Sequence, residues 1–171
     1  MAHASIPSAN PRDGDSAETE LDRAATLQLV IALGRAVKAL EKGVRPHLAK
    51  HELAMTEFAV LEVLYHKGPL PLSEIRDRIL VTGASTTYVV NKLEQRGLMR
   101  RRGSGEDKRV VFGEITTAGR RLMVSVFPVH VEQLRRLMAG LAASEKRTAT
   151  QLLRKLAQHA SAVGPHRVAG G

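Results

Sequence analysis

Between positions 96 and 109 the chain sets Arg96, Arg100, Arg101, Arg102, Lys108 and Arg109 against only Glu106 and Asp107, a local balance of +4. Guanidinium and ammonium groups at this density neutralise a polyanion, and nucleic-acid phosphate is the polyanion that rewards them most. The tip Gly103-Ser104-Gly105-Glu106-Asp107 stands between the basic run Arg100-Arg101-Arg102 and an apolar return, Val110-Val111-Phe112. That is the pattern of a β-hairpin. Asp107 would repel phosphate, so its sensible task is to pair with an arginine and hold the loop's shape. Arg109 is then the group expected to enter a minor groove, with Arg101, Arg102 and Lys108 beside it. A charge run is usually a solvated face, yet that reading accounts poorly for an Asp-x-Arg tip between two extended segments.

Immediately upstream lies a stretch that could read base edges. A helix is expected from Ser85 to Arg96, closed by Gly97, where the chain can leave through a left-handed conformation. At 100° per residue Thr86, Val89, Val90 and Leu93 share one face and should pack inward. Ala84, Tyr88, Asn91 and Gln95 fall opposite, flanked by Ser85, Thr87 and Lys92. Thr82, Ser85 and Thr87 carry hydroxyls suited to bases or phosphates, the Asn91 amide suits adenine, and Lys92 suits a phosphate. Before this helix, residues 72–80 form a short helical pattern with Ser73 placed to cap it, and Val81-Thr82-Gly83-Ala84 supplies a turn. Helix, turn, helix and basic hairpin together can place one helix in a major groove and a loop beside it.

These groups need a frame. Leu21, Leu27, Val30, Ile31, Leu33, Val37, Leu40 and Val44 recur at helical spacing and mark a long first helix. Thr56 is positioned to cap a second, with Phe58, Leu61 and Leu64 on one face before Gly68-Pro69. Beyond the hairpin Thr117 opens a helix running to about Ala139, in which Pro128 should cause a bend. Ser144 is placed to cap a last helix carrying Leu152, Leu153 and Leu156. The expected division is a disordered tail over 1–18, a helical dimerisation region over 19–52, a DNA-binding centre over 53–116, dimerisation helices over 117–160, and a flexible tail over 161–171. The fold class is mainly α with a small β-wing, a winged helix-turn-helix core flanked by long terminal helices. Those outer helices carry more apolar surface than so small a centre can bury. A symmetric dimer is the economical solution, and a monomeric bundle folded on itself is the alternative.

Composition narrows the partners. The net charge of +9 among 171 residues favours polyanions, and an aromatic content of 3% argues against a stacking surface for single strands. The absence of cysteine removes disulfides, zinc-thiolate fingers and thiol-based redox sensing. Neither a membrane span nor an apolar signal core is evident, so a cytoplasmic location is expected. There is no Gly-rich phosphate loop, nucleophile elbow or catalytic spacing of carboxylates, so neither catalysis nor a cofactor is expected. His47 and His51, four apart, would share a helix face as a zinc pair does, with Glu52, His66 and His130 as conceivable third ligands. Histidines outside recognised ligand spacings are mostly structural, so no metal is expected.

Further residues carry a family likeness. Leu53-x-x-Thr56-x-Phe58-x-Val60-Leu61, Gly68-Pro69-Leu70 and Leu72-x-Glu74-Ile75 resemble the MarR family of bacterial winged-helix regulators. So do Lys92-Leu93-Glu94-x-Arg96-Gly97-Leu98-x-Arg100-Arg101, Glu106-Asp107-Lys108-Arg109 and Ile115-Thr116-x-x-Gly119. The likeness continues through Phe127-Pro128-x-His130, Gly140-Leu141, Glu145 and Leu152-Leu153-x-Lys155-Leu156. It implies a triangular homodimer built from the first and the last two helices, with DNA read by the Ser85–Arg96 helix and by wing insertion. It also implies release from a pseudo-palindromic operator when a small phenolic or quinone-like ligand binds between the lobes. Arg35, His47, Tyr65 and His66 are the candidate polar lining of such a pocket. A repressor is therefore expected. The alternative is an architectural protein that coats double-stranded DNA with little sequence preference and no effector.

Overall fold

The apolar periodicities of the second helix and of the helix expected from Ser85 to Arg96 converge on one core. The computed structural model describes residues 11–79, 86–103 and 110–163, with side chains from residue 19 onward. Its elements run α1 (Pro11–Ala49), α2 (Met55–Lys67), β1 (Leu70–Pro71), α3 (Leu72–Arg78), α4 (Thr86–Gln95), β2 (Met99–Gly103), β3 (Val111–Ile115), α5 (Thr117–Leu137) and α6 (Ala143–Val163). The three strands form an antiparallel sheet in the order β1-β3-β2, with Met99 opposite Ile115 and Gly103 opposite Val111. The expected fold class therefore stands.

Phe58, Leu61 and Leu64 of α2 meet Ile75 of α3, Val89, Val90 and Leu93 of α4, and Met123 and Val126 of α5 in a single buried cluster. Burial of each large side chain there is worth about 1.5–3 kcal/mol. The sheet closes one side of this cluster through Met99 and Ile115. Gly97, at φ +65°, supplies the left-handed residue that ends α4 and turns the chain into β2. Thr116 fixes the next junction: its hydroxyl donates to Gly97 O at 2.6 Å and accepts from Gly119 N at 3.1 Å, capping α5.

Several helix starts differ from the sequence expectation. The first helix begins at Pro11, inside the segment read as a tail, with proline at the first helical position where its missing N–H costs nothing. Helix α2 is entered from Ala54, and Thr56 lies inside it. The Ala54 N–H finds its partner in the Glu57 carboxylate, 2.7 Å away. Likewise α6 is entered before Ser144, and Ala142 N donates to Glu145 Oε2 at 2.7 Å. Both starts use the glutamate half of a capping box with alanine in place of the usual hydroxyl residue. Ser73 also sits within its helix, which Pro71 precedes.

Neither Pro46 nor Pro128 breaks its helix. Near Pro46, which cannot donate one turn back, Gln133 of α5 donates to Gly43 O at 3.1 Å. Gly43 also permits close contact, since a Cβ there would meet Leu137 at 2.7 Å. Helix α1 therefore packs along α5 over its C-terminal part, while its N-terminal half and all of α6 remain largely uncovered in the single chain.

Candidate nucleic-acid interface

Helix α4 divides its faces as its sequence requires. Val89, Val90 and Leu93 are buried, whereas Thr87, Tyr88, Asn91 and Gln95 are exposed, with Tyr88 at 66%. An exposed tyrosine on a short helix has a phenol to offer a partner and little to gain from water. Thr82, Ser85, Asp107, Lys108 and Arg109 lie outside the described residues, so the interface is built here from the remainder.

Two ionic networks hold this helix, and both revise the role assigned to a cation. The first centres on Glu57, whose carboxylate is buried. Besides accepting from Ala54 N, it pairs with Lys92 Nζ at 2.9 Å and lies 3.6 Å from Arg96 Nη1. Accepting from the ammonium, Glu57 raises the Lys92 pKa above its ordinary value. Lys92, read from the sequence as a phosphate ligand, is thus engaged by a buried acid. Arg96 reaches further and donates to Glu52 O at 2.7 Å and His51 O at 3.2 Å. Glu52 has φ +56°, an unusual conformation for a side-chain-bearing residue, and Arg96 braces that corner between α1 and α2. Arg96 therefore belongs to the scaffold and should be subtracted from the DNA-facing charge.

The second network joins α4 to the wing. Arg101 on β2 pairs with Glu94 through Nη1 and donates from Nη2 to Asn91 Oδ1 at 2.6 Å, while its backbone N–H donates to Glu94 Oε1 at 2.9 Å. Arg100 pairs with Glu114 across the hairpin at 3.0 Å. Among the described residues Arg102 makes no ion pair and is exposed, so it retains its charge for an outside partner.

The candidate effector residues do not form one group. Tyr65 and His66 are together, in ring contact with Phe127 of α5, and the Arg120 guanidinium sits 5.5 Å from the Tyr65 ring centre. His47 instead is buried, with Nε2 donating to Val126 O at 3.2 Å. Arg35 is exposed on α1, roughly 18 Å along the helix from His47 at 1.5 Å per residue. His47 and His51 lie with ring centres 5.4 Å apart, but α1 ends at Ala49 and His51 stands in the turn beyond it, so they do not share a helix face. Among the described residues no group of three or more histidines and carboxylates has metal-binding geometry. His130, buried against Phe58 with ring centres 4.3 Å apart, has its pKa pushed down by burial and, second, by His47.

This architecture matches known proteins. The sequence profile of the MarR family matches residues 53–111, which span α2 to the start of β3. The HTH-type transcriptional regulator MhqR of Bacillus subtilis is 42% identical over 135 residues, covering 79% of this chain and 93% of MhqR. The chain belongs to the MarR family. It is a DNA-binding transcriptional regulator with a winged-helix fold. Bordetella bronchiseptica BpsR, whose DNA binding is regulated by 6-hydroxynicotinic acid, has a structure matching at TM-score 0.68 and 25% identity, over 76% of this chain and 98% of BpsR. Streptomyces coelicolor Sco3205 matches at TM-score 0.70 and 21% identity, over 84% of this chain and 92% of Sco3205, which supports the fold. For this MarR-family chain, Glu57 is the residue whose role sequence reading missed. Its signal was present: positions 57, 61 and 64 share a helical face, so an acid stood among residues bound for the core.

Proposed function

We propose that the protein is a homodimeric repressor that binds a pseudo-palindromic operator and is released from it by a small aromatic ligand. One observation carries the dimer. Leu33, Val37 and Leu40 of α1 face Leu137, Leu141 and Leu153 across an apolar groove of about 570 Å³. Leu27, Val30, Leu152 and Leu156 extend the same apolar surface and are 42–62% exposed. A contiguous apolar surface of this kind marks an association site. A second copy of the chain fits best, because self-association buries the same faces on both partners. Residues 19–52 and 117–160 are accordingly the dimerisation regions.

A dimer presents two copies of α4, and two recognition helices suit half-sites about one helical turn apart, roughly 34–36 Å. Tyr88, Asn91 and Thr87 face the base edges, with Thr82 and Ser85 at the helix entry. Arg102, Lys108 and Arg109 on the wing contact the backbone and minor groove, with Asp107 orienting Arg109. Ligand release is supported by BpsR, which is regulated by a hydroxylated aromatic carboxylate. In this chain the Tyr65–His66–Phe127 rings with Arg120 lie between α2 of the reading head and α5. They offer both stacking and a cation to such a molecule.

The test is a mobility shift against random genomic fragments. A few fragments sharing an inverted repeat should bind far more tightly than the rest. Uniform weak binding to every fragment would reject the repressor and favour an architectural role.

A further inference from the structure

Arginine donates hydrogen bonds and accepts none, so an amide beside a guanidinium must turn its oxygen toward it. Arg101 Nη2 lies 2.6 Å from the Asn91 side chain, and this contact alone determines which way the amide faces. The guanidinium is itself held. Glu94, one turn along α4 from Asn91, accepts from Arg101 Nη1 and from the Arg101 backbone N–H. Glu94 and Arg101 are each about one-third exposed, whereas Asn91 is exposed. A partly shielded ion pair therefore grips one atom of a residue on the open face of the recognition helix.

We infer that Arg101 is a positioning residue that locks the Asn91 amide so that it presents its NH2 group as a donor to the major groove, making Asn91 a reader of guanine in place of adenine. Asparagine reads adenine by accepting from N6 while donating to N7, which requires both ends of the amide. Oδ1 has two lone pairs, but one is taken by Arg101, and the guanidinium cation beside it disfavours the approach of a second donor such as adenine N6. Guanine presents two acceptors, N7 and O6, and needs only the NH2 end. The wing thereby sets the base preference of the helix without touching the base. This also gives Arg101 a task distinct from phosphate neutralisation, for which its charge is already balanced by Glu94.

The inference rests on α4 being the recognition helix, and the experiment separates the two. Binding-site selection from a randomised DNA pool would be run on the wild-type full chain and on N91A, R101A, E94Q and the N91A/R101A double variant. Equilibrium competition between guanine and adenine would follow at each selected position. The wild type should select guanine at one position in each half-site, and N91A should lose discrimination there alone. R101A should move that position toward adenine by roughly 2–10-fold, the worth of one hydrogen bond. The double variant should match N91A, because Arg101 acts only through Asn91. E94Q, which loosens the guanidinium while leaving it in place, should shift the preference the same way by less, and serves if R101A does not fold. An affinity loss spread evenly over all sequences in R101A or E94Q, with the base profile unchanged, would overturn the inference and leave the repressor standing. So would an adenine preference in the wild type at the Asn91-dependent position. Failure of the wild type to select any sequence would instead overturn the function proposed above.

Discussion

Helix α2 buries Phe58, Val60, Leu61 and Leu64, and α6 buries none of its 21 residues among those described. The reading head satisfies itself: its apolar groups share one cluster, its inward acid has partners, and its corner at Glu52 is braced by Arg96. The outer helices do the opposite. Leu152, Leu153 and Leu156 of α6 remain 42–62% exposed, with Leu153 on the rim of the open groove against α1. An amphipathic helix gains most of its stability from packing that face. The difference teaches that the chain holds one finished unit and one with its apolar face left open, which the proposed dimer would close with a copy of itself.

The comparison can be broken most forcefully at α6. Introducing L153E together with L156E should place carboxylates in the dimer seam and weaken self-association by about 3 kcal/mol or more, over ~100-fold. Sedimentation equilibrium would register this, while the circular dichroism of the head should persist. Wild-type-like dimers from this variant would remove α6 from the interface. The matching change in the head is E57A. It leaves Ala54 N–H without its acceptor and Lys92 and Arg96 without their shared acid, so stability should fall by about 2–3 kcal/mol. Chemical denaturation checks this, and a change below about 0.5 kcal/mol would show that the network is ornamental.

R109A probes whether the head reads DNA alone or with its wing. If Arg109 enters the minor groove, operator affinity should drop by about 1–3 kcal/mol with stability unchanged, as measured by fluorescence anisotropy. Equal affinity would return Arg109 to a solvated role. The smallest effect concerns His130, where head and outer helices meet. Its folded pKa lies below the ordinary value of 6.5, so the unfolded chain binds more protons as the medium acidifies through that value. Stability should hold above about pH 7 and decline toward about pH 5. H130Q should flatten that decline in thermal melts recorded across the range, and an unaltered pH profile would acquit His130.

The architecture was legible because periodicity reports faces directly. Positions 89, 90 and 93 could only point one way, and Gly97 announced the turn that follows. The same logic placed Tyr88 and Asn91 outward, where they stand. Pairing partners were harder, because residues distant in sequence meet only after folding. Nothing local to Lys92 indicates that Glu57, thirty-five positions earlier, occupies it. Nor does the run Arg100-Arg101-Arg102 reveal that its first two members are spent on Glu114 and Glu94. Counting charge along the hairpin thus overstated what DNA receives. Helix starts were misread for a related reason: Glu57 and Glu145, at the third helical position, do the capping expected of Thr56 and Ser144, while the helix holding Ser73 is entered from Pro71 with no side-chain cap.

The central claim is that two finished heads are joined by two unfinished halves, and stoichiometry on DNA tests it most directly. Native mass spectrometry of the protein titrated onto a selected operator should show free duplex and duplex with two chains, with almost no one-chain complex, even at limiting protein. Halving the operator to a single half-site should sharply weaken binding. A stable one-chain complex on a half-site, as tight as binding to the full operator, would contradict the account.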